Sequence, residues 1–285
     1  MCRRSGNIQA FTLIELSIVL VIIGLIVGGI LTGQDLINAA QTRAQIAQIE
    51  KYSTAARTFQ NKYGYLPGDI PNPAASNFGF AARGQYAGEG DGNGLIEGIW
   101  GDGAGNNWGV YQTGGETSMF WVDLSKAVLI DGSFTTASPT TATASPVTGS
   151  QINNYLPQAK IQGNDVLVYG FPDPKFNSNN FFAIGGITGL DFGNANSIVL
   201  TPALSVLQAY NIDKKVDDGY PQTGTVMAIL KRWGQDWIGA SGTTATPASA
   251  TTCYDNGNTG GATQKYSVGQ NGGNGLNCAL SMRMQ

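Results

Sequence analysis

Histidine is absent from the 285 residues. Its absence removes the commonest general base and the commonest zinc ligand. A Ser-His-Asp triad is impossible, although carboxylate or lysine chemistry is not. Charge is also scarce. Asp, Glu, Lys and Arg make up 12% of the chain, and the formal net charge is -3. Such a weakly charged, slightly acidic chain has no electrostatic footprint for nucleic acid. Cysteine is limited to Cys2, Cys253 and Cys278, an odd count for a secreted protein. The count resolves if Cys2 sits in a segment that is removed, which leaves two cysteines that fit one disulfide in an oxidising compartment. There is no internal repeat. Glycine, by contrast, is abundant at 40 residues, which points to long loops and tight turns. The length allows one large domain or two small ones, with a real core.

Residues 11–31 read FTLIELSIVLVIIGLIVGGIL, a run of 21 residues with one charge, Glu15. As a helix it would rise about 32 Å at about 1.5 Å per residue, enough to span a bilayer core. A buried soluble helix is the alternative, but the run is apolar on every face. Arg3 and Arg4 precede it, and positive charge ahead of a span keeps that end in the cytoplasm. An ordinary secretory signal would be cleaved beyond the apolar segment at a small-residue site. None is evident, because Gly28-Gly29-Ile30-Leu31 continues directly into helical sequence.

Ala10-Phe11-Thr12-Leu13-Ile14-Glu15 resembles the processing site of type IV prepilins and of the pseudopilins of type II secretion. The resemblance implies a membrane peptidase that cuts between Ala10 and Phe11 and methylates the new amine. The apolar helix would stay on the mature chain. Ala10 departs from the glycine usual before the cut. No proline falls between Phe11 and Leu66, which favours a pseudopilin or minor pilin over a major pilin. A carboxylate in hydrocarbon costs several kcal/mol unless it is paired. No cation lies within the span, so the nearest partner for Glu15 is the amine of Phe11, in its own helix or in a neighbouring subunit. The resemblance implies the second arrangement, with the pair setting subunit register during assembly. A protonated Glu15 facing an interface is the alternative. Gly24, Gly28, Gly29 and Gly33 form two small-x-x-x-small pairs that allow close helix approach, or that soften the helix.

The expected organisation is a leader over 1–10, a transmembrane helix over 11–33, an amphipathic helix over 34–64 and a globular head over 65–285. The fold class is α+β, with the long helix packed on an antiparallel sheet, a pilin-like plan. Ile46, Ile49, Tyr52, Ala56, Phe59 and Tyr63 step by 3 or 4 and form the packing stripe, while Gln45, Gln48 and the charged residues fill other faces. Gly64 and Pro67-Gly68 end the helix, and YGYLPGD resembles the family's helix exit. A second helix is predicted over 113–132, with Thr113 and Glu116 as a capping box and Phe120, Leu124, Ala127 and Val128 on one face. A third starts at Thr201-Pro202, with Leu204, Leu207 and Tyr210 on its apolar side. Strands are predicted over 166–171, 181–187, 197–200 and 225–230. Stretches 133–150 and 240–252, rich in Ser, Thr, Ala and Pro, read as loops or disordered insertions open to O-glycosylation.

Glu89-Gly-Asp91-Gly-Asn93-Gly-Leu-Ile resembles the first half of a calcium loop. The closing position falls on Trp100, so Glu97 or Asp102 would have to substitute. The alternative is a Gly/Asp/Asn turn. Asp213-Lys-Lys-Val-Asp217-Asp218-Gly219-Tyr-Pro resembles a segment of large pilin-like proteins, and its acids can satisfy turn amides or bind calcium. Cys253 and Cys278 bracket a Gly/Asn-rich loop, which in pilins a disulfide pins to the sheet. Two cysteines without histidine fall short of the usual zinc ligand set. Trp233 and Trp237, with Trp100, Trp108 and Trp121, suggest packing more than carbohydrate stacking.

The expected function is a non-enzymatic subunit of a type IV pilus or type II secretion pseudopilus. It would be anchored in a bacterial inner membrane with its head in the periplasm. Like subunits, a prepilin peptidase and an assembly platform are the partners the resemblance implies; no cofactor is expected unless calcium binds. The alternative is an adhesin or calcium-dependent binding head presented by the same anchor. A membrane-tethered carboxylate enzyme is the weakest reading.

Overall fold

The computed structural model describes residues 12–84, 86, 88–99, 113–140, 146–171, 179–190, 198–232, 235–238 and 245–285. The fold is α+β. Helix α1 runs from Leu13 to Tyr63 with no proline to interrupt it. Gly64 ends it in the left-handed region, at φ 81°, and its amide bonds back to the Gln60 carbonyl. The chain forms two compact units, 1–41 and 42–285. In the first, α1 exposes its apolar side chains all round, from Leu13 to Ile37.

In the second unit, α1 buries Thr42, Gln45, Gln48, Ile49, Tyr52, Ala55, Ala56 and Phe59, while Ile46 and Tyr63 are only partly covered. The stripe is therefore rotated from the expected one. Gln45 and Gln48 lie inside it instead of on a solvated face. Their amides explain this. Gln45 Oε1 accepts from the backbone amide of Lys160 at 2.7 Å, and Gln48 Nε2 donates to the Gln158 carbonyl at 2.8 Å and to Tyr52 Oη at 3.0 Å. Buried polar side chains are tolerated where they satisfy backbone groups that would otherwise be orphaned.

Two further helices follow in this unit, α2 (Ala74–Asn77) and α3 (Glu116–Lys126). Helix α3 departs from expectation at both ends. Gly115, at φ 77°, is its N-cap in place of Thr113. Val128 is 85% exposed and sits in a positive-φ turn, off the buried face of Phe120 and Leu124. Strand β1 (Val147–Thr148) falls inside the biased stretch 133–150. Strands β2 (Asp165–Phe171), β3 (Asn179–Leu190) and β4 (Ile198–Thr201) then precede helix α4 (Val206–Val216). Thr201 closes β4 and does not cap α4. The cap is Ser205, whose hydroxyl accepts from the Gln208 amide while the Gln208 side chain accepts from Ser205. Leu204 lies outside the helix and exchanges backbone hydrogen bonds with Cys278. Helix α4 buries Val206, Ala209, Ile212 and Asp213, and leaves Leu207 exposed.

Strands β5 (Val226–Arg232), β6 (Gln235–Ile238), β7 (Tyr254–Asp255), β8 (Lys265–Tyr266) and β9 (Leu280–Arg283) complete the described elements. Seven strands form one antiparallel sheet, in the order β1-β3-β9-β5-β6 with β2 and β4 also on β3; β7 and β8 form a separate hairpin. The twelve-residue β3 is central because its first half pairs with β2 and β9 and its second half with β4 and β1. At its midpoint a Cβ on Gly185 would lie 2.6 Å from Leu200 Cδ1, so glycine lets β4 pack closely there. The core forms where α1, α3 and the sheet meet. Tyr52 and Phe120 each lie 5.0 Å from Trp121 by ring centroid, and Phe120 is 5.9 Å from Phe182. Trp121 is fully buried, in line with a packing role.

The two glutamines predict a test. Gln45→Leu removes the acceptor of the buried Ile161 amide, while the Lys160 amide keeps its second acceptor, Gln48 Oε1, and the change should lower stability by about 1–3 kcal/mol because it strands one buried donor. Denaturant unfolding of the head measures the change.

Candidate functional site

The N-terminal unit carries one ionisable group in its apolar run. The Glu15 Oε2 atom accepts from the Thr12 backbone amide at 2.8 Å and from the Thr12 hydroxyl at 2.8 Å, and the Glu15 amide donates back to Thr12 Oγ1 at 3.3 Å. This is a reciprocal capping box at the start of α1. It also supplies Glu15 with neutral donors from its own chain, a third arrangement beside pairing and protonation. Oε1 takes part in none of the described hydrogen bonds. Ala10 and Phe11 lie outside the described residues. Gly24, Gly28, Gly29 and Gly33 have nothing within 4 Å of an added Cβ, so their faces are open to a close neighbour. The helix is long and apolar enough to cross a membrane.

The second candidate lies in the glycine-rich loop at 89–97. Asp91 is brought together with Asp69 and Glu116, one carboxylate oxygen from each lying within 4.8 Å of the others. Neither Asp69 nor Glu116 belongs to the sequence-derived calcium set. The remaining members of that set are not part of this trio, although Asn93 bridges Asp91 to Glu97. Glu89 accepts from the Tyr86 amide, Asn93 donates to both Asp91 and Glu97, and Asp102, like Trp100, Trp108 and Trp233, lies outside the described residues.

The loop's orientation is the informative feature. Its backbone points N–H groups, not carbonyls, at the two buried acids. Asp69 accepts from Gly92 at 2.6 Å and Gly94 at 2.8 Å. Glu116 accepts from Gly90 at 2.9 Å, Asp91 at 3.4 Å and Glu97 at 2.7 Å. A calcium loop wraps oxygen ligands around a cation. Here the loop is a nest of amides around carboxylates, which favours the turn reading over the calcium reading. Glycine suits the close approach: a Cβ on Gly90 would lie 2.7 Å from the Ile70 carbonyl, and its φ is 98°.

Burial pushes the Asp69 carboxyl up to about 7, aided by the Asp91 charge and opposed by the Gly94 and Gly92 amides. Burial also raises Glu116 well above the carboxylate range, with the Asp69 charge adding to it. Glu97 is raised by burial as well. Nearby, Arg83 and Asp123 form a buried ion pair at 2.5 Å, and Asp123 also accepts from the Gly68 amide at 2.7 Å. That contact ties the turn carrying Asp69 to α3.

The third candidate follows α4. Asp213 accepts from the Gly219 amide at 3.0 Å and from Tyr266 Oη at 2.8 Å. Asp217 accepts from the amides of Thr225 and Val226, and Asp218 from the Tyr220 amide and the Thr223 hydroxyl. Each acid thus serves the turn, although the three carboxylates also lie close enough together to share a cation. Burial is the main cause that lifts Asp213 to about 7. A disulfide joins Cys253 to Cys278 and encloses the β7–β8 hairpin. Comparison with protein-family models, curated proteins and solved structures returns no match.

Two predictions follow from these sites. The folded value for Asp69, about 7, stands above its unfolded value near 4. Folding therefore takes up a proton in that window, and this group's contribution to stability falls as pH rises from about 4 to 7. Asp213 acts in the same direction. Asp69→Asn places an amide against the Gly92 and Gly94 donors, so it should be less stable at pH 5 but lose less stability between pH 5 and 8. Unfolding midpoints across pH test this against the parent protein. Removing the disulfide by Cys253→Ala and Cys278→Ala together should cost about 3 kcal/mol for a loop of this size, read from denaturant unfolding under oxidising conditions.

Proposed function

We propose that this chain is a non-enzymatic filament subunit of the type IV pilus and type II secretion pseudopilus kind. It waits in a bacterial inner membrane with its head in the periplasm. A prepilin peptidase trims it between Ala10 and Phe11, and an assembly platform passes it to like subunits. The observation that carries the reading is a single carboxylate, Glu15, at the start of an apolar run whose large hydrophobic side chains are exposed all round among the described residues.

The chemistry of Glu15 supports it. In lipid, the amide and hydroxyl of Thr12 offset part of the cost of the carboxylate. Both bonds fall on Oε2, which leaves Oε1 for a cation. After cleavage the amine of Phe11 in a neighbouring subunit supplies that cation, and the ion pair fixes the axial register. A cysteine pair joined in the head suits an oxidising compartment. The open faces at Gly24, Gly28, Gly29 and Gly33 suit close packing against other apolar helices.

Glu15→Ala should leave membrane insertion and cleavage intact and should abolish or strongly reduce incorporation into filaments. Co-assembly with tagged subunits, followed by shearing and immunoblotting, measures it. Normal incorporation of the variant would overturn the role given to Glu15.

A further inference from the structure

We draw no further inference here: the strongest candidate, the Asp69–Asp91–Glu116 carboxylate cluster between the glycine-rich loop and the start of α3, has its two buried acids already met by that loop's own backbone amides, and no second feature of the described residues points to a ligand there.

Discussion

A carboxylate removed from water must be met by donors, by a cation or by a proton. The architecture described above turns on how it meets that demand in three places. At the start of α1 the donors come from one residue, Thr12. In the glycine-rich loop they are five backbone amides shared between Asp69 and Glu116. After α4 they are turn amides and two hydroxyls, those of Tyr266 and Thr223. The solutions differ in reach. The first is local and leaves an oxygen uncommitted. The second joins segments far apart in sequence, as does the Asp213–Tyr266 bond of the third, so these acids act as staples for a head with long loops and few charges.

The amide nest explains why so much glycine gathers in one loop. To aim successive N–H groups at a centre, the backbone must turn back on itself, and Gly90, Gly92 and Gly94 all take positive φ. The same loop bonds across to the first turn of α3 through Glu116. Burial raises Asp69 and Glu116 alike, and the Asp69 charge raises Glu116 further, so this depth favours holding a proton on the pair. Cohesion there depends on hydrogen bonds and proton occupancy more than on apolar contact. The aromatic cluster of Tyr52, Trp121 and Phe182 meets the opposite need, as area kept from water with little dependence on pH.

Much of this was legible in advance, and the exceptions share a cause. The apolar run and the helical stripe are periodic signals, so α1 was readable to its last turn. The predicted strands correspond to β2, β3, β4 and β5 because they carry apolar and β-branched runs. Strands β7 and β8 are two residues each in Gly/Asn-rich sequence, where no period can emerge, and β9 is only four residues long. The capping signature is more instructive. Its spacing occurs at Thr12–Glu15, Thr113–Glu116 and Ser205–Gln208. It forms at the first and third, whereas at the second the N-cap is Gly115 and Glu116 is drawn to amides of a distant loop. A local pattern cannot report a tertiary competitor for the same oxygen. Asp69 was missed for the same reason: its partners lie more than twenty residues away. Gln45 and Gln48 show the converse, polar residues buried because a loop needed their amides.

The contrast between the ends of α1 bears on how the proposed filament could have one register. Past Thr42, directional bonds to residues 158–161 fix the helix against the head. Over residues 16–31 the exposed surface is mostly Leu, Ile and Val, and such a surface packs almost as well after a slip of one turn. Apolar contact can therefore hold neighbouring helices together without saying where they should stop. A single carboxylate breaks that degeneracy. Each residue of slip moves it about 1.5 Å and rotates it by about 100°, and a misplaced charge costs several kcal/mol in a dry interface. One acid among about twenty apolar residues is thus enough to select a register, provided that its own cap prevents it from being prohibitive before assembly. In the proposed filament Thr12 and Glu15 would form one device: the threonine would make the charge tolerable, and the charge would make the assembly specific.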